Sequence, residues 1–316
     1  MNVLITCCGR KLFLIDEIQK SLNKLFPLEQ NNVVVTESDK YSASLYYTAK
    51  GFIVPPIFHP KYIEEIIKIC KQEDISILIP CKDTELKKIS EHIDMFKGLL
   101  IPLSSNKTIN ICEDKLKFFE TLKCNINMPI IHKLDSSRTD ISYPCVVKER
   151  GLDIETYGAH ICINEKELEC ALFESYNPII QQKIEGIEYT VDSLFDNECN
   201  PICIVPRKRL RIREHVSDVG LVCNDHEIIS QTQKAAKLLN IKSVANFQWI
   251  EDPYGVPYLI DVNPRISGGL QVTLAACPDF ILTLIKLILG LKIHKLKFVE
   301  SVLTLKYESI ISCNIF

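Results

Sequence analysis

The 316-residue chain has no apolar run long enough to cross a bilayer, no CxxC pair, no cluster of histidines and no GxSxG or GxGxxG motif. Each absence removes a class of function. The longest apolar run, residues 280–291 (FILTLIKLILGL), is shorter than the ~20 residues a spanning helix needs and contains Lys286, so it reads as a buried helix and no membrane partner is expected. The start, Met1–Ile5, carries no basic leader and no cleavage site, which predicts a cytoplasmic protein. Fourteen cysteines are present, but they fall singly; only Cys7-Cys8 and the Cys199/Cys203 pair are close. That spacing favours buried apolar thiols in a reducing compartment over a disulfide framework or a zinc site. Without GxSxG there is no recognisable serine or cysteine nucleophile. His59, His92, His132 and His226 have no partners in the sequence, and none is assigned a role.

What is present is ordinary globular material. Hydrophobic residues make up 47% and charged residues 24% of the chain, and at ~150 residues per domain the length predicts about two domains. Lys and Arg number 37 against 40 Asp and Glu, a net charge of −3 that gives no bulk electrostatic reason to bind nucleic acid. No internal repeat or low-complexity segment interrupts it.

The first hundred residues alternate strand and helix. Apolar runs at 2–6 (NVLIT), 32–36 (NVVVT), 52–54, 76–80 (SILIP) and 99–101 read as strands. Between them lie helical patterns, such as Leu12, Ile15, Ile18, Leu22 and Leu25. This alternation predicts a doubly wound parallel sheet, whose ligands sit at the carboxyl ends of the strands. Cys8-Gly9-Arg10 after the first strand reads as a tight turn. From Ser104 the texture changes. A capped helix carrying Cys112, Leu116, Phe119 and Leu122 is followed by short β runs over 143–223, an antiparallel pattern. A helix over 227–239 precedes two strong strands, 244–251 and 257–262, joined by the turn Asp252-Pro253-Tyr254-Gly255.

The second of those strands ends in Asp261-Val262-Asn263-Pro264-Arg265. Strand periodicity puts Asp261, Asn263 and, if the geometry persists past the proline, Arg265 on one face. Carboxylate and amide oxygens suit Mg²⁺, and an adjacent guanidinium suits a phosphate bridged to it. Gln248 on the partner strand could add an oxygen. Ser267-Gly268-Gly269 opens a helical stretch whose N–H groups could hold a carboxylate. Upstream, 206–213 (PRKRLRIR) would place Arg207, Arg209, Arg211 and Arg213 on one strand face. Such a face is a cradle for phosphates and a carboxylate, a solvated edge strand, or an RNA-contacting stripe.

Strand, turn, strand and D-x-N-P-R resemble the metal site of the ATP-grasp superfamily. The closest likeness is to the large-subunit type of carbamoyl-phosphate synthetase and its single-grasp relatives. These usually show E-x-N-x-R, so Asp261 stands in place of Glu. Asp114-Lys115 and the run 143–148 (YPCVVK), ending in Lys148, are similar to the family's two phosphate-holding lysine motifs. The run 180–191 (IQQKIEGIEYTV) resembles the hinge that reads the adenine. The resemblance implies Gln181 for the adenine amino group, the backbone of Gln182 and Ile184 for the adenine edge, and Glu188 for the ribose. Arginines ahead of the metal strands favour the cradle reading, with Arg265, Arg209 and Arg207 catalytic. Arg211, Arg213, Ser267, Gly268 and Gly269 are then candidate substrate contacts. His215 is a further candidate substrate contact or a surface histidine.

The resemblance therefore implies an α/β then α+β chain. A pre-grasp Rossmann-like domain over 1–104 leads into an ATP-grasp domain over 105–316, with a small lid at roughly 125–183 and a large antiparallel-sheet subdomain at roughly 184–316. The implied activity is that of an ATP- and Mg²⁺-dependent (or Mn²⁺-dependent) carboxylate–amine or carboxylate–ammonia ligase working through an acyl phosphate. Its partners are small molecules, with a homodimer an open option. The lid loop 149–158 departs from the family: it keeps only Gly151 and Gly158 and adds Asp153 and Glu155. That departure leaves two alternatives, a nucleotide-binding regulatory protein that has lost turnover and a small-molecule kinase on the same fold.

Overall fold

The computed structural model describes residues 1–132, 140–151, 158–213, 216–307 and 309–312. Strands β1 (Asn2–Thr6), β2 (Asn32–Glu37), β3 (Lys50–Ile53) and β4 (Ile75–Pro80) form a parallel sheet in the order β3-β2-β1-β4. Val3, Leu4 and Ile5 of β1 are fully buried because helices cover both faces. Helices α1 (Leu12–Leu25), α2 (Ala43–Tyr47) and α3 (Tyr62–Gln72) connect the strands, and α4 (Asp83–Glu91) follows β4. The chain order reverses between β1 and β4, so the loops after these strands open onto one crevice. The expected strand at 99–101 contributes only a bridge, Ile77 to Leu100.

The helix expected after Ser104 is two helices, α5 (Asn106–Glu113) and α6 (Lys115–Leu122). Asp114 breaks them. Its backbone is extended, and its side chain accepts hydrogen bonds from the N–H groups of Leu116 and Lys117. Aspartate is a poor interior residue and a strong N-cap, so a new helix starts where one was expected to continue.

A four-stranded antiparallel sheet follows, built from β5 (Ile131–His132), β6 (Cys145–Glu149), β7 (His160–Cys162) and β8 (Pro178–Gln182) in the order β5-β8-β6-β7. Helix α7 (Glu165–Glu174) packs on it through Leu168 and Ala171. The largest sheet contains β9 (Ile187–Phe195), β10 (Pro201–Arg213), β11 (Val216–Val222), β12 (Ser243–Glu251), β13 (Pro257–Asn263) and β14 (Leu303–Leu305), ordered β13-β12-β9-β10-β11-β14. Helix α8 (His226–Leu239) covers one face; α9 (Leu270–Ala276) and α10 (Phe280–Ile288) cover the other. A parallel N-terminal sheet followed by antiparallel sheets is the architecture expected from the sequence. The turn between β12 and β13 works as read: the Asp252 side chain accepts from the N–H groups of Tyr254 and Val256, and Gly255 takes a φ of +79°.

Helix α10 explains the longest apolar run. Phe280 through Ile285 are all buried, and one continuous core joins Val3, Ile5, Ile18 and Leu22 to Val205, Leu270, Phe280 and Leu284. Helix α10 thus plugs the parallel sheet onto the large antiparallel one. Among the described residues no single helix is long and apolar enough to cross a membrane. The described cysteines are free thiols, most of them buried.

Between β8 and β9 the chain passes close to the end of β12. A Cβ on Gly186 would overlap the carbonyl of Glu251. Gly186→Ala is therefore expected to destabilise the protein by about 1–3 kcal/mol, as overpacking against fixed backbone does. Urea unfolding of the two proteins measures the difference.

Candidate functional site

Polar side chains converge where the end of the parallel sheet meets the large sheet. Asp261 and Gln248 lie directly opposite each other on β13 and β12, in a register set by a bulge after Gln248. Asp261 Oδ2 accepts from Asn263 Nδ2 at 2.8 Å and from Gln248 Nε2 at 3.4 Å. The three candidate metal residues are therefore one cluster. The strand does end at Pro264: the Arg265 N–H folds back onto the Asn263 carbonyl at 2.8 Å. Its guanidinium then reaches the first residue of α4, with Nε 2.9 Å from Asp83 Oδ2, and Nη1 donates to the Ile266 carbonyl. Burial opposes the charge on Arg265, but the Asp83 carboxylate outweighs it and raises its pKa.

Lys115 shares a small crevice with Asp261, Asn263 and Asp83. Lys148 is close to both charged groups. Burial pushes its ammonium from the ordinary 10.5 down to about 8, with Asp261 acting to raise it and Lys115 to lower it. The lysines thus stand beside the carboxylate–amide cluster. Arg150 is held away by Asp114, which takes its Nε and Nη2 at 2.8 Å each. Residues 152–157, most of the expected lid loop, and His215 lie outside the described residues.

The four-arginine face is a correction. Register shifts after Arg209 and again after Arg211 break the alternation of β10. Arg207 and Arg209 line a cleft of about 330 Å³, together with Lys11, Lys82 and Arg265. Arg211 instead lies on the exposed end of the strand, with Nε 2.7 Å from Asp218 Oδ2, and Arg213 is exposed beyond it. Neither lines this cleft.

Arg207 is 2% exposed and its Nε lies 3.1 Å from Asp192 Oδ2. Asp192 also accepts from Thr273 Oγ1 at 2.6 Å and Asn246 Nδ2 at 3.2 Å. Burial alone would raise the Asp192 pKa, but the charge of Arg207, with hydrogen bonds from Ser267, Thr273 and Arg207, holds it below the usual carboxylate value. Gly269 is needed beside this group, since a Cβ there would sit 2.8 Å from Arg207 Nη2. Ser267 and Ser217 accept from the remaining guanidinium nitrogens, so Ser267, Gly268 and Gly269 do line the cleft. Arg209 pairs with Glu188 at 3.0 Å; burial lowers its pKa despite Glu188, and Arg207 adds to the lowering.

At the hinge, Gln181 is buried at the end of β8. The Gln182 N–H donates to the Ile130 carbonyl at 2.8 Å, and its side-chain oxygen accepts from the Ile130 N–H. That N–H is already used inside the sheet, so of the Gln182 backbone only the carbonyl could face an adenine. Ile184 lies in the half-buried link between β8 and β9, beside the ion pair of Lys183 and Glu185. Glu188 is engaged by Arg209, which ties the expected ribose residue to the expected phosphate cradle.

Sequence reasoning missed Asp192, Asp83, Lys11 and Lys82. Asp192 was detectable as a lone acid inside the apolar strand run 187–195 (IEYTVDSLF). The others follow β1 and β4 at the carboxyl edge of a parallel sheet, where ligand groups collect.

Comparison with known proteins agrees with this geometry. Residues 174–310 match the family model described as ATP-grasp in the biosynthetic pathway with Ter operon, and residues 3–103 match the PylC-like, N-terminal domain. The carbamoyl phosphate synthase large chain of Thermoanaerobacter sp. (strain X514) is 24% identical over 243 residues, covering 68% of this chain and 22% of that protein. The chain thus spans about a fifth of the length of the curated relatives it matches. The L-amino acid ligase from Bacillus licheniformis superposes with a TM-score of 0.70 at 19% identity, over 91% of this chain and 74% of that one. The biotin carboxylase domain of Hydrogenobacter thermophilus 2-oxoglutarate carboxylase, in complex with MgADP, ADP and bicarbonate, gives 0.73 at 19% identity, over 94% and 72%. Residues 174–310 thus carry the ATP-grasp match that the resemblance in the motifs implied, and the PylC-like match at 3–103 falls where a pre-grasp Rossmann-like domain was expected.

Two measurements check the electrostatics of the site. Arg207→Met leaves Asp192 buried without its cation and is expected to cost about 3–5 kcal/mol, part of it recovered when Asp192→Leu is added. Denaturant unfolding of the single and double variants reads both. For Lys148, the folded pKa of about 8 lies below the unfolded 10.5, so the folded protein binds fewer protons between these values. Stability from this group therefore rises with pH across that window and is lowest below it. Lys148→Met is expected to be more stable than wild type at pH 7, with the advantage shrinking as pH approaches 10.

Proposed function

We propose that the protein is an ATP- and Mg²⁺-dependent ligase that joins a carboxylate to an amine or ammonia through an acyl phosphate. One observation carries this reading: a single cleft is lined by five cationic side chains, Lys11, Lys82, Arg207, Arg209 and Arg265, and by Gln248 of the carboxylate–amide cluster. Such a cleft suits a polyphosphate and a substrate carboxylate together. The similar proteins, a carbamoyl phosphate synthase, an amino acid ligase and a carboxylase bound to MgADP, support the same chemistry.

The residues fit a hard cation. Asp261 offers a carboxylate, and Asn263 and Gln248 each carry an amide oxygen on the edge opposite the N–H now given to Asp261. Bound there, Mg²⁺ would offset phosphate charge during transfer. Lys115 and Lys148 hold the nucleotide phosphates, while Gln181, the Gln182 carbonyl, Ile184 and Glu188 take the nucleoside. Residues 125–183 act as the lid, 184–316 as the large subdomain and 1–104 as the substrate-side domain. An oxygen of the substrate carboxylate forms a bond to the γ-phosphorus as the bond to the β-phosphate oxygen breaks and ADP leaves. Arg207, Arg209 and Arg265 neutralise the charge on the transferring group. They need little reorganisation, because Asp192, Glu188 and Asp83 already hold them in place.

The same carboxylate partners favour a second reading, since each reduces the free charge available to ATP: a nucleotide-binding protein without turnover. Incubation with ATP, Mg²⁺, hydroxylamine and a panel of carboxylates separates the two. The ligase forms ADP and a hydroxamate with at least one carboxylate, and Asn263→Ala lowers the rate by at least about tenfold. ATP binding without ADP from any carboxylate favours the second reading, and a stable phosphorylated product indicates a kinase.

A further inference from the structure

We propose that the acceptor is a carbon-bearing primary amine about the size of an amino acid, rather than ammonia, and that it binds in a second chamber beside the cationic cleft. This rests on the ligase reading above. The chamber, about 260 Å³, lies between β11, β14 and the start of α9. It shares Ser217, Gly268 and Gly269 with the cleft, so the two cavities meet at these three residues. A Cβ on Gly268 would meet nothing within 4 Å, so open space lies at the junction.

The chemistry of the two chambers differs. Five cations and the Asp83 carboxylate line the cleft, whereas the second chamber has one carboxylate, Asp218, whose Oδ2 is paired with Arg211, and the ammonium of Lys306. Its remaining wall includes Val272, Leu305 and Tyr307. The floor is built rather than incidental, because the Lys306 N–H donates to the Asp218 carbonyl and locks β14 onto β11. Ammonia needs no apolar wall and no volume of this size. A compact amine does, with its nitrogen near Asp218 and Ser217 and its carbon body against Val272 and Leu305. The volume lies just below the ~300–1,000 Å³ typical of small-molecule pockets, which keeps the acceptor small.

In the second step the amine lone pair forms the new C–N bond at the acyl carbon. The C–O bond to phosphate breaks, inorganic phosphate leaves with that electron pair, and the proton from nitrogen passes to the departing phosphate. The cleft holds the acyl phosphate and the junction at Gly268 is where the two substrates touch.

The test compares acceptors on the same acyl phosphate. Hydroxylamine is small enough to capture it without the second chamber; n-butylamine and L-alanine amide are not. Wild type is expected to form amides with at least one of these two amines. Leu305→Trp, on the exposed edge strand, fills the chamber and is expected to lower the ratio of amide to hydroxamate about tenfold or more. An unchanged ratio in Leu305→Trp, or a wild type that uses ammonia and neither amine, overturns the proposal while leaving the ligase reading intact. A wild type that forms no hydroxamate with any carboxylate overturns the ligase reading, and this proposal with it.

Discussion

The buried ion pair of Asp192 and Arg207 is the constraint on which the rest of the site depends. Both charges are almost wholly removed from water, which is costly unless every lone pair and proton finds a partner. Asp192 is satisfied by donors from three further positions in the fold: Arg207 on β10, Asn246 on β12 and Thr273 on α9. Ser217 and Ser267 then take the outer guanidinium nitrogens and bring in β11 and the loop ahead of α9. One carboxylate on β9 therefore fixes five segments. The small residues around it follow from the same requirement, because Gly269 leaves the space the guanidinium occupies.

A second ion pair, between Arg265 and Asp83, does the same job across a longer distance in sequence, 182 residues. It joins the end of the carboxylate–amide strand to the helix that follows β4. Both pairs keep cationic groups pointed at a common space before any ligand arrives. Electrostatic stabilisation is strongest when the charges need not reorganise, so a pairing that lowers the net charge also raises the precision with which it is delivered.

The sequence showed the carboxylate–amide motif, both lysines and the parallel-then-antiparallel architecture, because each is local. Asp261 and Asn263 are two residues apart on one strand, and Lys148 ends a strand whose apolar run is plain. The arginine stripe was legible only in part. Alternation places Arg207 and Arg209 together, but the bulges that turn Arg211 outward arise from pairing with β11 and have no mark in the run itself. Asp83 and Lys82 were invisible for a different reason: their role depends on how two sheets are juxtaposed, which no local pattern encodes. The break at Asp114 belongs between these cases, since the capping residue was in view and its partner Arg150 was not.

Helix α10 carries one more implication, for how such chains are assembled from parts. The segments 3–103 and 174–310 match separate families, yet α1 from the first and α10 from the second share one apolar core. The boundary visible in family ancestry is therefore not a boundary in the interior. A chimaera that exchanged residues 1–104 with those of a relative would face the old α10 with a new partner. Successful recombination would have to move the α10 surface with the N-terminal sheet, so these two distant stretches are bound to diverge as a single unit.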